Sequence, residues 1–193
     1  MSGGARKRDD GLVERRVLLD EAGVRAALER IAGEILERHA DAERLLLVGV
    51  RTGGVPLAER LQRLVQEKTG HAVALGRLDI TLYRDDVFVG LPRPEVGPTE
   101  LPGTIEGKVV VLVDDVLFTG RTTRAALVEL MDYGRPEKVE LAVLVDRGWR
   151  ELPIGADYAG LVVETTRTQT VRVQLRELGA PDRVVLLERG SGK

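Results

Sequence analysis

Val109-Val110-Val111-Leu112-Val113-Asp114-Asp115-Val116-Leu117-Phe118-Thr119-Gly120-Arg121-Thr122-Thr123 is the stretch on which fold and chemistry turn. Five consecutive apolar residues, 109–113, read as a strand covered on both faces. Such a strand delivers two adjacent carboxylates to the C-terminal edge of a parallel sheet, where open α/β folds place their ligands. The Thr-Gly-Arg-Thr-Thr turn that follows combines hydroxyls, a permissive glycine and the start of a helix over 120–131. Free backbone N–H groups and the positive end of the helix dipole make that turn an anion site. Carboxylates repel the same anion, so Asp114 and Asp115 call for a hydroxyl-rich group or a metal. A sugar phosphate meets both demands.

Outward from this stretch, helical and strand patterns alternate. Val24, Leu28, Ile31 and Ile35 recur at helical spacing, and residues 45–50 (Leu-Leu-Leu-Val-Gly-Val) form a short apolar run typical of a buried strand. Pro56 opens a second helical pattern through Leu57, Leu61, Leu64 and Val65, closed by Gly70. Residues 71–82 read as a strand, 137–145 as another, and 158–163, 171–175 and 184–187 as short strands of a C-terminal third. Between 87 and 108 lie four prolines and four glycines, a density that suits a functional loop better than a linker. Residues 1–11 offer no apolar surface to offset ordering entropy and read as a disordered tail before a single domain over 12–193. The series predicts an α/β fold, a parallel sheet flanked by helices with a small strand-rich hood.

Composition removes whole classes of function. With no Cys in 193 residues, disulfides, thiolate zinc sites and cysteine nucleophiles are excluded. The 29 basic and 31 acidic residues leave a net charge of -2, so any hold on nucleic acid must rest on a local patch. No run approaches the ~18 apolar residues of a membrane span. The polar start lacks a secretory pattern, which makes a cytoplasmic protein without membrane contact the expectation. Nearly all positive charge is Arg, with only Lys7, Lys68, Lys108, Lys138 and Lys193 as lysines.

The 109–123 stretch resembles the 5-phosphoribosyl-1-diphosphate (PRPP) signature of type I phosphoribosyltransferases. An acid pair capping a strand end is the plain alternative. A nucleotide-hydrolase metal acid is another, but no Gly-x-x-x-x-Gly-Lys-Ser/Thr loop accompanies the pair. Further blocks narrow the resemblance: Asp79-Ile80-Thr81-Leu82-Tyr83-Arg84-Asp85-Asp86, Gly134-Arg135-Pro136, Val145-Asp146-Arg147-Gly148 and Arg150-Glu151-Leu152-Pro153-Ile154. Together with residues 49–52 they resemble the family of bifunctional pyrimidine operon attenuators and uracil phosphoribosyltransferases. The blocks fall between about residues 24 and 188, so the likeness covers most of the chain.

That resemblance implies a type I phosphoribosyltransferase fold and transfer of phosphoribosyl from PRPP to uracil, giving UMP and diphosphate. Asp114 and Asp115 would hold the ribose and, through PRPP, a Mg²⁺ ion. Thr119, Gly120, Arg121, Thr122 and Thr123 would cradle the 5′-phosphate. Arg51 and Thr52, in an unusual and often cis peptide, would face the diphosphate, and Arg84 would close over it from the Pro/Gly-rich loop. Val145, Asp146 and Arg147 would select the base, unless Asp146 and Arg147 pair with each other as scaffolding. His39 and His71 read as structural or exposed. Copies are expected to assemble as a homodimer or larger homo-oligomer.

The family's other role, binding pyrimidine operon leader mRNA, would fall to Thr52, Trp149 and Arg150. Here the sequence departs from the family pattern. Trp149 stands where His is common, Gly33 in the first helix replaces a His, Gly155 replaces a basic residue and Leu161 a Lys. Each swap removes a phosphate contact, so RNA affinity is expected to be weakened, although Trp149 retains the ability to stack on an unpaired base. Two rival readings stand beside this one: an RNA-binding regulator sensing UMP with little catalysis, and a phosphoribosyltransferase for another base.

Overall fold

A computed structural model describes residues 11–81 and 98–190. A parallel five-stranded sheet runs in the order β3-β2-β4-β5-β6. Its strands are β2 (Leu45–Val50), β3 (Ala74–Leu78), β4 (Val109–Leu117), β5 (Lys138–Asp146) and β6 (Tyr158–Val162). Among the described residues three α-helices accompany them: α1 (Glu21–Arg38), before β2, α2 (Gly54–Thr69), between β2 and β3, and α3 (Arg121–Asp132), between β4 and β5. A separate antiparallel sheet, β1-β8-β7, pairs β1 (Leu12–Leu19) with β8 (Arg183–Arg189) and β8 with β7 (Gln169–Gln174).

The apolar runs explain the central sheet. Every residue of β2 is buried, as are the first six of β4, because helices cover both faces. One core holds Ile31, Ile35, Leu57 and Leu61 against Leu45, Leu47 and Val111. The other holds Leu46, Val48 and Leu112 against Ala125, Ala126 and Leu130 of α3. Helix ends follow local chemistry. Asp20 caps α1 by accepting the Gly23 N–H at 2.8 Å. Gly70 ends α2 at φ 75°, a left-handed conformation that costs glycine little.

Four expectations are corrected. Helix α2 begins at Gly54, two residues before Pro56, because the backbone there packs directly on Val113 O, where no Cβ would fit. The strand expected over 71–82 is confined to Ala74–Leu78, and His71 is an exposed turn residue rather than the opening of a strand. The hood is not purely C-terminal. It takes β1 from the N-terminus, a strand whose partners lie about 170 residues away, while β6 joins the parallel sheet. Last, β4 continues through the acid pair to Leu117 instead of stopping at Val113.

Among the described residues no helix is long and apolar enough to cross a membrane. The expected tail and the loop cation Arg84 lie outside the described residues, apart from Gly11, whose carbonyl accepts the Gly190 N–H at 2.9 Å.

Candidate functional site

The site begins with a difference in strand length. Pairing between β2 and β4 ends at Gly49 and Val113. Pairing between β4 and β5 runs on to Leu117 and Asp146, skipping Asp115. Asp114 and Asp115 therefore overhang the end of β2, beside the turn that leaves it. Asp114 is buried at 7% exposure and accepts the Asp115 N–H at 2.9 Å; Asp115 accepts the Val116 N–H at 2.9 Å. These backbone bonds fix both carboxyl groups on the strand.

The turn after β2 closes against them. The Arg51–Thr52 peptide is cis. A Cβ on Gly53 would stand 2.5 Å from Asp115 Oδ2, so glycine there lets the turn touch the acid. Arg51 is anchored by its own N–H to Leu78 O at 2.9 Å and by Nη2 to Pro98 O at 3.4 Å. Its Nε is buried without a partner among the described residues, a donor left over for a guest. Thr52 is exposed.

On the other side lies the turn into α3. Gly120 takes φ 89° at the N-cap, and among the described residues no side chain caps the helix. Thr119 Oγ1 accepts the Arg121 N–H only at 3.4 Å. Thr122 is half-buried and Thr123 buried at 5% exposure, while Arg121 lies outward against Glu151 at 2.8 Å. The uncapped N-terminus is suited to an anion. Overhanging carboxylates flanked by two donor-rich turns make a receptacle for a molecule with anionic ends and a hydroxylated middle.

The 145–154 segment braces this receptacle. Arg147 N donates to Leu117 O at 3.1 Å, and Glu151 N and Leu152 N donate to Thr119 O at 3.0 and 3.2 Å. Val145 is wholly buried in the core, so only its backbone is placed to meet a ligand. Asp146 and Arg147 do not pair with each other. Asp146 holds Arg150 in an ion pair and accepts the Gly148 N–H at 3.0 Å. Arg147 stacks on Phe118, 4.0 Å from ring centre to guanidinium, and donates to Gln169 O at 2.6 Å. Burial pulls its guanidinium below the usual range, and its Nε has no partner among the described residues. A cleft of about 330 Å³ opens beside this segment, lined by Asp146, Arg147, Trp149, Val162 and Thr165 among others.

Trp149 takes φ 63° and is 40% exposed, its Nε1 bound to Thr165 O at 2.7 Å and its ring under Arg167. Arg150, expected to face RNA, is turned inward. Its guanidinium donates to Ile154 O, Phe118 O and Gly148 O at 2.8–3.0 Å besides holding Asp146. To meet an RNA phosphate it would have to surrender bonds that shape the segment. Leu161 packs against the apolar core, whereas Gly33 and Gly155 have open space around them.

Sequence reasoning passed over Phe118, which sits inside the quoted stretch, and the acid Glu129. The latter carried a signal: a carboxylate on the apolar stripe of α3 beside Ala125, Ala126 and Leu130.

Comparison with known proteins places this fold in a family. The family described as phosphoribosyl transferase domain matches residues 17–177. "Bifunctional protein PyrR" of Pelotomaculum thermopropionicum is 53% identical over 91% of this chain and 97% of its own length. The protein of that name from Thermus thermophilus is 52% identical over 89% and 95%. The chain belongs to the phosphoribosyl transferase domain family, in its PyrR branch. A hypoxanthine-guanine phosphoribosyltransferase of Bacillus anthracis shares the fold with a TM-score of 0.68 at 16% identity, over 91% of this chain and 98% of that one. A hypoxanthine phosphoribosyltransferase of Trypanosoma cruzi gives 0.69 at 18%, over 92% and 98%.

Proposed function

We propose that this chain transfers the phosphoribosyl group of PRPP to uracil, forming UMP and diphosphate, and that it also meets pyrimidine operon leader mRNA, with weakened affinity. The observation that carries the catalytic half is the overhang of Asp114 and Asp115 between the Arg51–Gly54 turn and the N-terminus of α3. In this reading the ribose hydroxyls lie on the two carboxylates. The 5′-phosphate takes the N–H and hydroxyl groups of residues 119–123, and the diphosphate takes Arg51 and the backbone of Thr52. Arg84 is assigned to the diphosphate by the family resemblance alone.

In the reaction the bond from the anomeric carbon to the diphosphate oxygen breaks and a bond to uracil N1 forms, the N1 proton passing to solvent. Positive charge develops on the ribose, and two carboxylates fixed beside it stabilise that charge without reorganising. Positioning the two substrates supplies much of the remainder. Arg147, with its spare Nε and its stack on Phe118, and the backbone around Val145 and Asp146 would meet the flat pyrimidine.

Mg²⁺ fits the donors present. Two carboxylates are hard oxygen ligands, and among the described residues no group of three His, Cys, Asp or Glu forms a closed metal cage. Asp114 and Asp115 therefore suit an ion that draws its other oxygens from substrate and water. Such an ion would neutralise the departing diphosphate.

The name "bifunctional" carried by relatives at 53% identity supports a second, regulatory role. The retained Thr52 and the half-exposed Trp149 are the residues offered to RNA, and Arg150 shapes their surroundings. Incubation of the protein with PRPP, Mg²⁺ and labelled uracil tests the catalytic half. Labelled UMP is expected, with orotate and purines inert. Binding of PRPP with no product would leave only a nucleotide-sensing regulator, and turnover of a purine alone would reassign the base. Sedimentation of the same sample checks the proposed dimer or larger assembly.

A further inference from the structure

Between the edge of β3 and helix α3 lies a knot of polar groups in an otherwise apolar wall. Residues 98–100 run along the outer edge of β3. Arg77 and Glu100 exchange two backbone hydrogen bonds, each 2.8 Å. This lays the Thr99 hydroxyl between two elements. It accepts the Asp79 N–H at 3.1 Å and donates to a carboxylate oxygen of Glu129 on α3. Glu129 is 5% exposed, and its second carboxylate oxygen is buried with no partner among the described residues. Burial, reinforced by Asp79 and Asp132, pushes this carboxyl above the usual range, although the Thr99 bond opposes the shift. A buried acid of this kind costs stability where an apolar residue would be free to pack.

Its neighbours indicate what it holds. Pro98, adjacent to Thr99, gives its carbonyl to Arg51 Nη2 at 3.4 Å, and Leu78, adjacent to Asp79, gives its carbonyl to Arg51 N at 2.9 Å. Both anchors of Arg51 are thus one residue from the knot. Glu129 itself rides on α3, whose first residues form the opposite anion turn. A single bond from Glu129 to Thr99 therefore ties the helix of one turn to the anchors of the other.

We infer that Glu129, acting through Thr99, is a positioning residue that sets the separation of the two anion-holding turns and so the affinity for PRPP. This rests on the PRPP reading above and deepens it. The consequence is specific: loosening the tie frees the anchors of Arg51 at the diphosphate end, while the base segment keeps its own bonds to Thr119 O and Leu117 O and moves with the 5′-phosphate turn.

Three variants test it: Glu129→Ala, Glu129→Gln and Thr99→Val. Each is assayed for KM and kcat with PRPP and uracil, and for PRPP–Mg²⁺ binding by calorimetry. Glu129→Ala and Thr99→Val are expected to raise the KM and Kd for PRPP about tenfold, which corresponds to about 1.4 kcal/mol. The KM for uracil and kcat should stay within twofold. Glu129→Gln keeps an acceptor for Thr99 and should restore the parent KM. Thr99→Val, nearly isosteric, carries the test should Glu129→Ala fail to fold. Parent-like PRPP affinity in Thr99→Val overturns the inference, as does a loss shared equally by uracil and PRPP. If the unaltered chain does not bind PRPP, the functional reading fails first and this one with it.

Discussion

Glu140 illustrates at the residue scale how this protein tolerates charge in its interior. Its side chain is fully buried, yet it accepts from Tyr158 OH at 2.6 Å, His39 Nε2 at 2.7 Å and Lys138 Nζ at 2.5 Å. Burial alone would raise its carboxyl, but the bonds from Lys138, Tyr158 and His39 outweigh that and hold it down at about 2. The same burial and the bond to Glu140 push the Tyr158 hydroxyl up. A carboxyl depressed in the folded state stabilises the fold above its unfolded range, and this contribution is lost as pH falls toward the folded value. Acid unfolding followed by circular dichroism should therefore show stability draining between about pH 4.5 and 2. Glu140→Gln should flatten that slope and cost about 3 kcal/mol at neutral pH in urea titration, because three donors lose their charged acceptor. An unchanged acid slope would remove Glu140 from the account. His39, structural as expected, owes its role to this network at the far end of β5 from the receptacle.

At the scale of elements, the decisive contact is between the turn after β2 and the end of β4. Gly53 is required because a Cβ there would collide with Asp115 Oδ2 at 2.5 Å. Gly53→Ala should displace the carboxylate or the turn, weakening PRPP binding at least tenfold while the melting temperature moves only a few degrees, as for ~1 kcal/mol of overpacking. Calorimetry beside thermal melting separates the two effects; undiminished affinity would show that the turn and the acid do not act together. The acid pair and the helix after it were readable in the sequence because the apolar run and the Thr-Gly turn are local signals. The overhang was not, since it depends on β2 ending earlier than β4, a property of two strands about 60 residues apart. Nor was β1 readable. Val13 and Val17 remain nearly half exposed, and the strand exists by pairing with β8 rather than by its own pattern.

For the whole molecule, the fold was legible as alternating apolar runs and helical stripes, and the hood's composition was not, because it joins the two ends of the described chain. The proposed RNA-facing surface was the least legible. Gly33 and Gly155 have open space where a cation could stand, Leu161 packs against the core, and Arg150 is spent on carbonyls of its own segment and of Phe118. With no free cation offered at these four positions, the counterion-release contribution to RNA binding shrinks. Affinity for the leader transcript of the chain's own pyrimidine operon should be no tighter than about 1 μM at physiological salt, in the range of non-specific association. Filter binding across a salt series measures it, and nanomolar binding with a steep salt slope would contradict the weakened surface.

In the proposed function Asp114 and Asp115 hold the ribose of PRPP between two anion-binding turns. Its most direct test is UMP formation by the double variant Asp114→Asn, Asp115→Asn, assayed beside the parent with saturating PRPP, Mg²⁺ and labelled uracil. The kcat is expected to fall at least ~10²-fold, as for loss of a preorganised charge at a reacting centre, in a protein that melts like the parent. Parent-like synthesis of UMP by the neutralised pair would contradict it.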